Sequence, residues 1–368
     1  MIMDYLKLTI AFIFSFAISF LATPLVIKIY RHFGWLDNPK GKKHPKVVHK
    51  YPVPRGGGLP IFLAITMTAG FFLGLDKHLI AIIAGLFILA ITGFLDDIFD
   101  LNPYLRLFLG FLACCCVVGG GIGIPFITNP FGGGIIPLNS PQIPIFILGK
   151  TRHIWLLADI FAVFWILACM NFVNWSKGVD GQLPGIAAIA AIVIGLASLK
   201  FSADITQWPV IILAFITAGA YLGFLPFNLY PQKIMPGYGG GSIAGFMLAV
   251  LSILATTKVG IVIMVLGIPF ADAVFAVIRR IISGRSPVWG DAGHLHHRLL
   301  RLGWSKKKIA IFYWITTLFL GLLALSLSSR LKLYTIIIIL FLLGSFFLWT
   351  RFINISLSRP GRNSGSKT

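Results

Sequence analysis

"KHLIAIIAGLFILAITGFLDDIFDLNP", residues 77–103, is an apolar run that ends on three aspartates, Asp96, Asp97 and Asp100. A run of ~20 apolar residues is what a helix needs to cross a ~30 Å hydrocarbon layer. The chain has 368 residues and only 11 acidic side chains, all of them Asp, so three at one helix end concentrate a scarce residue. On a helix, spacings of three and four put all three on one side. The C-terminal end of the helix dipole disfavours anions by ~0.3–1 kcal/mol each, and mutual repulsion adds to this. Such a cluster persists when a cation is bound, when a carboxylate stays protonated, or when a basic loop covers it. A merely solvated helix end accounts for it less well, because Asn102-Pro103 closes the turn at once.

Apolar stretches of similar length recur along the whole chain. Hydrophobic residues make up 57% and charged residues 11%, with a mean hydropathy of +0.91, which excludes an ordinary soluble domain. The reading is an all-α, polytopic membrane bundle with about eleven spans. They are placed at 8–30, 58–75, 78–95, 105–123, 153–172, 185–200, 209–227, 241–256, 259–281, 309–328 and 332–350. The first has no basic segment ahead of it and is read as an uncleaved anchor rather than a signal peptide. Residues 1–350 form one transmembrane domain, and 351–368 a basic tail without fixed structure. The net charge of +20 suggests nucleic acid, but membrane sidedness explains it better. Most Lys and Arg fall in 28–57, in 279–308 and after 351, which are loops on one alternating side; this predicts the N-terminus outside and the C-terminus in the cytoplasm. Residues 124–152, rich in Pro, Gly and Asn, then form an external loop with room for a hairpin. Cys114, Cys115 and Cys116 fan out around a helix and, with Cys169, lie within spans, so they suit neither a metal site nor a disulfide framework.

Three further polar stretches fall on the predicted cytoplasmic side. "NFVNWSKGVDGQLPG" (171–185) sets Asn171 and Asn174 on one helix face ahead of Gly178, Asp180 and Gly181. Amide and carboxylate oxygens among glycines suit a hard cation, or a sugar and its phosphates. "SGRSPVWGDAGHLHHRLLRLGWSKKK" (283–308) gathers Arg285, Asp291, His294, His296, His297 and Arg298. His-x-His-His without Cys or Glu is a weak zinc pattern. A diphosphate fits it better, since imidazoles and guanidiniums donate to anionic oxygens. "DNPKGKKHPKVVHKYPVPRGGGLP" (37–60) carries Lys50, and its end, Arg55 before Gly56–Gly58, lets backbone approach an anion where a span begins. Lys40, Lys42 and Lys43 are read as headgroup contacts. Asp272, inside the ninth span, serves either function or helix-to-helix bonding. Acids, amides, histidines and a basic loop on one surface describe a site for a phosphorylated soluble donor and a lipid acceptor.

Together these motifs resemble those of the polyprenyl-phosphate N-acetylhexosamine-1-phosphate transferases, over nearly the whole chain. "LDDIFD" is similar to that family's Asp-Asp-x-x-Asp, "NFVNWSKGVDG" to its Asn-x-x-Asn-x-x-Asp-Gly-x-Asp-Gly, "GHLHHRLL" to its His-x-His-His loop and "HKYPVPRGGG" to its first inner loop. The histidine loop is closer to the GlcNAc-1-phosphate branch than to the lipid I translocases, which have three consecutive His. The resemblance implies transfer of sugar-1-phosphate from a UDP-N-acetylhexosamine to a polyprenyl phosphate with release of UMP. It implies Mg2+, or Mn2+, as cofactor, a cytoplasmic-membrane location, no nucleic-acid partner, and a homodimer as an expected assembly. Carried over by motif, Asp96, Asp97, Asp100 and Asp180 are catalytic. Asp97, Asn174 and Asp180 hold metal. Lys50, Arg55, Asn171, Asn174, Lys177, Arg285, Asp291, His294, His296, His297 and Arg298 bind substrate. The alternatives are phospho-MurNAc-pentapeptide transfer and a non-catalytic relative that binds lipid or nucleotide sugar. A flippase would need charges at the bilayer midplane, and here they gather at one surface. Two positions depart from the pattern: Lys177 stands where the family has the first Asp of its Asp-Gly-x-Asp-Gly run, and Gly239 where it has a metal-binding Asp. Either Asp97, Asp180 or Asp272 substitutes, or the chain is a divergent member.

Overall fold

The computed structural model describes residues 2–39, 49–129, 134–147, 150–255, 259–290 and 293–357. The chain runs α1 (Ile2–His32), β1 (Leu36–Asp37), β2 (Val53–Pro54), α2 (Gly58–Phe72), α3 (Lys77–Phe99) and α4 (Pro103–Gly119). Four short strands follow: β3 (Phe126–Thr128), β4 (Ile135–Pro137), β5 (Gln142–Ile147) and β6 (Lys150–Trp155). Next come α5 (Leu156–Asn174), α6 (Gln182–Leu199), α7 (Trp208–Asn228), α8 (Gly237–Leu254), α9 (Val259–Val265) and α10 (Gly267–Ile282). The short α11 (Leu295–Arg301) precedes α12 (Lys306–Ser326) and α13 (Ser329–Leu357).

Helices dominate, but the chain is not purely α. β1 pairs with β2, β3 with β4 and β5 with β6, each antiparallel, the last in the register Gln142↔Trp155 to Ile147↔Lys150. Within 124–155 the described residues therefore form two antiparallel strand pairs. Among the described residues, eight helices have the length and apolarity to cross a membrane. The other three expected spans differ. α2 and α4 have 15 and 17 residues, and at ~1.5 Å per residue they are shorter than the hydrocarbon layer. The expected span 259–281 is α9 and α10, bent by 85° around Leu266; Pro269 follows the bend and cannot continue the α9 hydrogen-bond ladder.

α8 is the axis of the bundle, packed by α2, α3, α5, α6, α7 and α9, with 89% of its span buried. At the other extreme α13 has 6% of its span buried and turns Ile337, Ile338, Phe341, Leu342 and Leu348 outward, a surface suited to acyl chains. Glycines permit the central crossing. A Cβ on Gly93 of α3 would meet the Gly239 Cα at 2.5 Å, and one on Gly58 of α2 would meet it at 2.9 Å, so three backbones touch. Hydrogen bonds and close contacts then collect the C-terminal ends of α1, α3, α5 and α7 and the N-terminal ends of α2, α4, α6, α8 and α12 at one end of the bundle.

Candidate active site

The site grows from the end of α3. Asp96 is fully buried; its Oδ1 accepts from Arg106 Nη1 at 2.9 Å, and its Oδ2 lies 3.6 Å from Arg55 Nη2. Two guanidiniums from separate segments thus compensate one carboxylate that has lost its water, a loss worth several kcal/mol if left unpaired. Asp97 Oδ2 accepts from the Tyr30 hydroxyl at 3.2 Å, whereas Oδ1 is buried with no hydrogen-bond partner. Asp100 is the left-handed C-cap of α3 (φ 50°), its side chain 71% exposed and 3.6 Å from Arg55 Nη1. The three acids therefore do not crowd one helix face as expected, because the backbone leaves the helix at Asp100. Arg55 bridges Asp96 to Asp100.

Lys177, in the loop after α5, comes to this group from another direction. Its Nζ donates to the Gly237 carbonyl at 2.8 Å and lies 5.9 Å from the centre of the Tyr238 ring, which Arg106 covers at 5.3 Å. Loss of water around the amine, and then the Arg55 guanidinium, push its pKa down to about 7 against the pull of Asp96 and Asp97. Lys177 and Asp97 are both half-buried as whole residues. The next residue, Gly178, lies against the imidazole of His296, and Trp175 against that of His294 at 5.7 Å. One loop thus joins the acid cluster to the histidines.

The histidines are held from α10. Asp272 Oδ2 is 2.9 Å from His294 Nδ1, and its Oδ1 accepts from the Leu295 N–H at 2.9 Å, which fixes the start of α11. Arg280 reaches His294 Nε2 at 3.3 Å and lies over the Trp175 ring at 4.6 Å. His296 is buried between His294 and His297, at 5.7 and 4.3 Å between ring centres. Burial, then His297 and His294, push its pKa well down, so it is neutral, and its Nδ1 has no hydrogen-bond partner. Arg298, expected to bind donor, donates instead to the Gly293 and Phe347 carbonyls at 3.2 and 3.0 Å and covers the Phe347 ring, tying α11 to α13.

The remaining expected residues are dispersed. Asn171 Nδ2 donates to Leu167 O within its own helix at 2.8 Å. Lys50 and Arg285 are exposed, and among the described residues no contact draws either to the acids or the histidines. Asp291 lies outside the described residues. Sequence reasoning missed Tyr30, Arg106, Arg280 and Lys306; Arg106 could have been found, since it follows the acid run directly across the Asn102-Pro103 turn.

Of the three residues expected to hold a metal, Asp180 has both carboxylate oxygens partnered. Asp180 Oδ1 accepts from Lys306 Nζ at 2.9 Å and its Oδ2 from the Gln232 N–H at 3.3 Å. Asp97 and Asn174 keep one unpartnered buried oxygen each, against Gly237 and Gly241, four residues apart on one face of α8. Among the described residues no three His, Cys or Asp gather as a metal set. Two unpartnered oxygens are fewer than the roughly six ligands a divalent ion takes, so the chain alone does not complete such a site.

A family profile described as Glycosyl transferase family 4 matches residues 79–256, which include Asp96, Asp97, Lys177 and Asp180. The chain is 27% identical over 333 residues to the probable undecaprenyl-phosphate N-acetylglucosaminyl 1-phosphate transferase of Bacillus subtilis, covering 88% of this chain and 86% of that protein. It is 28% identical to the decaprenyl-phosphate N-acetylglucosaminephosphotransferase of Mycolicibacterium smegmatis, over 83% and 78% of the two chains. It is 26% identical to the phospho-N-acetylmuramoyl-pentapeptide-transferase of Acetivibrio thermocellus, over 88% and 96%. Residues 79–256 thus resemble glycosyl transferase family 4, and most of the chain is similar to these relatives.

Proposed function

We propose that this chain transfers an N-acetylhexosamine-1-phosphate, GlcNAc-1-phosphate in particular, from a UDP-sugar to a membrane polyprenyl phosphate. The products are a polyprenyl-diphosphate-sugar and UMP. The relatives' names support this reading, and one observation carries it: the loop 175–180 touches the half-buried Asp97 pocket through Lys177 and the histidine helix through Gly178. A lipid-phosphate oxygen attacks the sugar-bearing phosphorus, and the bond from that phosphorus to the UMP oxygen breaks. Catalysis of this kind is mostly positioning and charge neutralisation. Asp96 is occupied by two guanidiniums, so Asp97, with a free carboxylate oxygen, is the acid assigned to the lipid phosphate. His296 and His297 take the donor side.

The site lies at the cytoplasmic face of a multi-pass cytoplasmic membrane protein, with the N-terminus outside and eleven traversals. Two features support this: the basic loops adjoin the end of the bundle where the site lies, and α2 starts at that end while α3 returns to it. The test is UMP release by the purified chain from UDP-GlcNAc and polyprenyl phosphate, compared with UDP-GalNAc and UDP-MurNAc-pentapeptide. Release from UDP-GlcNAc that Asp97→Asn abolishes supports the reading. Preference for the pentapeptide donor replaces it with lipid I synthesis, and binding without release under any condition replaces it with a non-catalytic relative.

A further inference from the structure

The misfit of the metal set has a counterpart in Lys177. An ammonium has three N–H donors. The Gly237 carbonyl takes one at 2.8 Å, and no other described residue accepts a hydrogen bond from Lys177. Arg55, Asp96, Arg106 and Asp97 lie close enough to the amine to act on its charge. The amine is held from below by Tyr238, whose ring it shares with Arg106. The position where the family pattern has a further acid cannot supply one here. A Cβ on Gly239 would lie 3.3 Å from the Gly93 Cα and 3.4 Å from the Gly58 Cα, so the helix crossing occupies that space. Loss of one anionic position and arrival of a cation at another have the same electrostatic consequence. Both make the pocket less negative than the family pattern would.

We infer that Lys177 is the built-in cation of this site, facing the diphosphate of the donor, so that nucleotide-sugar binding by this chain needs no divalent metal. The inference rests on the transferase reading. A Lys amine serves as a point charge toward phosphate oxygens, and its donors not used by Gly237 suit two of them. Arg55 is ion-paired with Asp96 and Asp100 and Arg106 with Asp96, whereas Lys177 forms no ion pair with a described carboxylate.

The experiment is calorimetric titration of the purified full chain with UDP-GlcNAc, in EDTA and in excess Mg2+, with Mn2+ resonance spectra of the same samples as a direct metal readout. The expected result is an affinity unchanged within about twofold by EDTA, with no bound-Mn2+ signal. Lys177→Met keeps the length and apolar stem of the side chain. It is expected to lose on the order of tenfold to a hundredfold in affinity, the size of a lost charge-assisted contact, with no recovery in Mg2+. Lys177→Arg, which keeps the charge, is expected to recover part of it, and thermal melting of each variant separates lost binding from lost folding. Wild-type binding that vanishes in EDTA and returns with Mg2+, or a folded Lys177→Met chain that binds like wild type, overturns the Lys177 assignment alone. Absence of binding in both buffers, with polyprenyl phosphate present as well, removes the donor reading itself.

Discussion

A Cβ on Gly178 would lie 1.8 Å from Nε2 of His296, so the loop after α5 meets the histidine helix with no space for a methyl group. His296 has little room to swing aside, because it is buried, stacked on His294 and tilted against His297. Gly178→Ala therefore separates the acid cluster from the histidines. Overpacking of this kind costs about 1–3 kcal/mol, and UMP release is expected to fall by tenfold or more on the order of a misplaced site. Gly70→Ala, at a helical position with nothing within 4 Å, is the control; it should melt at or slightly above the wild-type temperature, by up to about 1 kcal/mol of added stability. Equal melting and equal activity for Gly178→Ala would separate the loop from the histidines functionally.

Asp96 and Arg106 form a charge pair at 2.9 Å with the carboxylate fully enclosed. Arg106→Met leaves that carboxylate with Arg55 alone at 3.6 Å. The single change is expected to cost up to about 3 kcal/mol, because an undercompensated buried charge is worse than no charge. Adding Asp96→Asn should return part of it, with a coupling of about 0.5–3 kcal/mol in a double-mutant cycle. Unfolding in mixed micelles measures all four proteins. Additive costs would mean that the pair is not felt.

Much of this was readable beforehand, for identifiable reasons. Apolar length and the asymmetry of Lys and Arg survive any detail of packing, so a polytopic helical bundle follows from them directly. The ends of α3 and α5 were legible because scarce polar residues stand out against apolar runs. What was not legible depends on contacts between segments remote in sequence. Asp272 pairs with His294 across 22 residues that include a loop, and its role stayed open between function and helix bonding. Arg298 has the spacing of a ligand-binding residue, yet α13 takes its donors, 49 residues further on. The 85° bend ahead of Pro269 falls inside an apolar run of full length, which reads as one span. The three acids looked alike in sequence and differ entirely in surroundings: Asp96 is paired twice, Asp97 is half-paired and Asp100 is solvated.

Gly239 invites a restoring substitution, and the structure argues against it. In Gly239→Asp the new Cβ would press on the α2 and α3 backbones at 3.4 and 3.3 Å, and neither is a flexible side chain that can yield. The variant is expected to melt lower, by about 1–3 kcal/mol, and to lose UMP release rather than gain metal dependence. A folded Gly239→Asp chain that becomes Mg2+-stimulated would show that the crossing can open and that the acid position is still usable.

Lys177 also sets a pH dependence with a definite sign. With its pKa near 7 in the free protein, the amine is charged below that value and neutral above it. Arg55, Asp96 and Asp97, Arg106 and Tyr238 face it from the preceding loop, α3, α4 and α8. A bound diphosphate favours the ammonium and raises its pKa, so binding above neutrality must take up a proton, and affinity must weaken as pH rises. UDP-GlcNAc suits the measurement because its diphosphate stays ionised throughout. Calorimetry in buffers of different ionisation enthalpy should report near-zero uptake at about pH 6 and approach one proton per nucleotide at about pH 8. Lys177→Met should remove the difference between buffers. Heats that are independent of buffer in the wild-type chain at both pH values would show that the Lys177 amine does not change its protonation when the diphosphate binds.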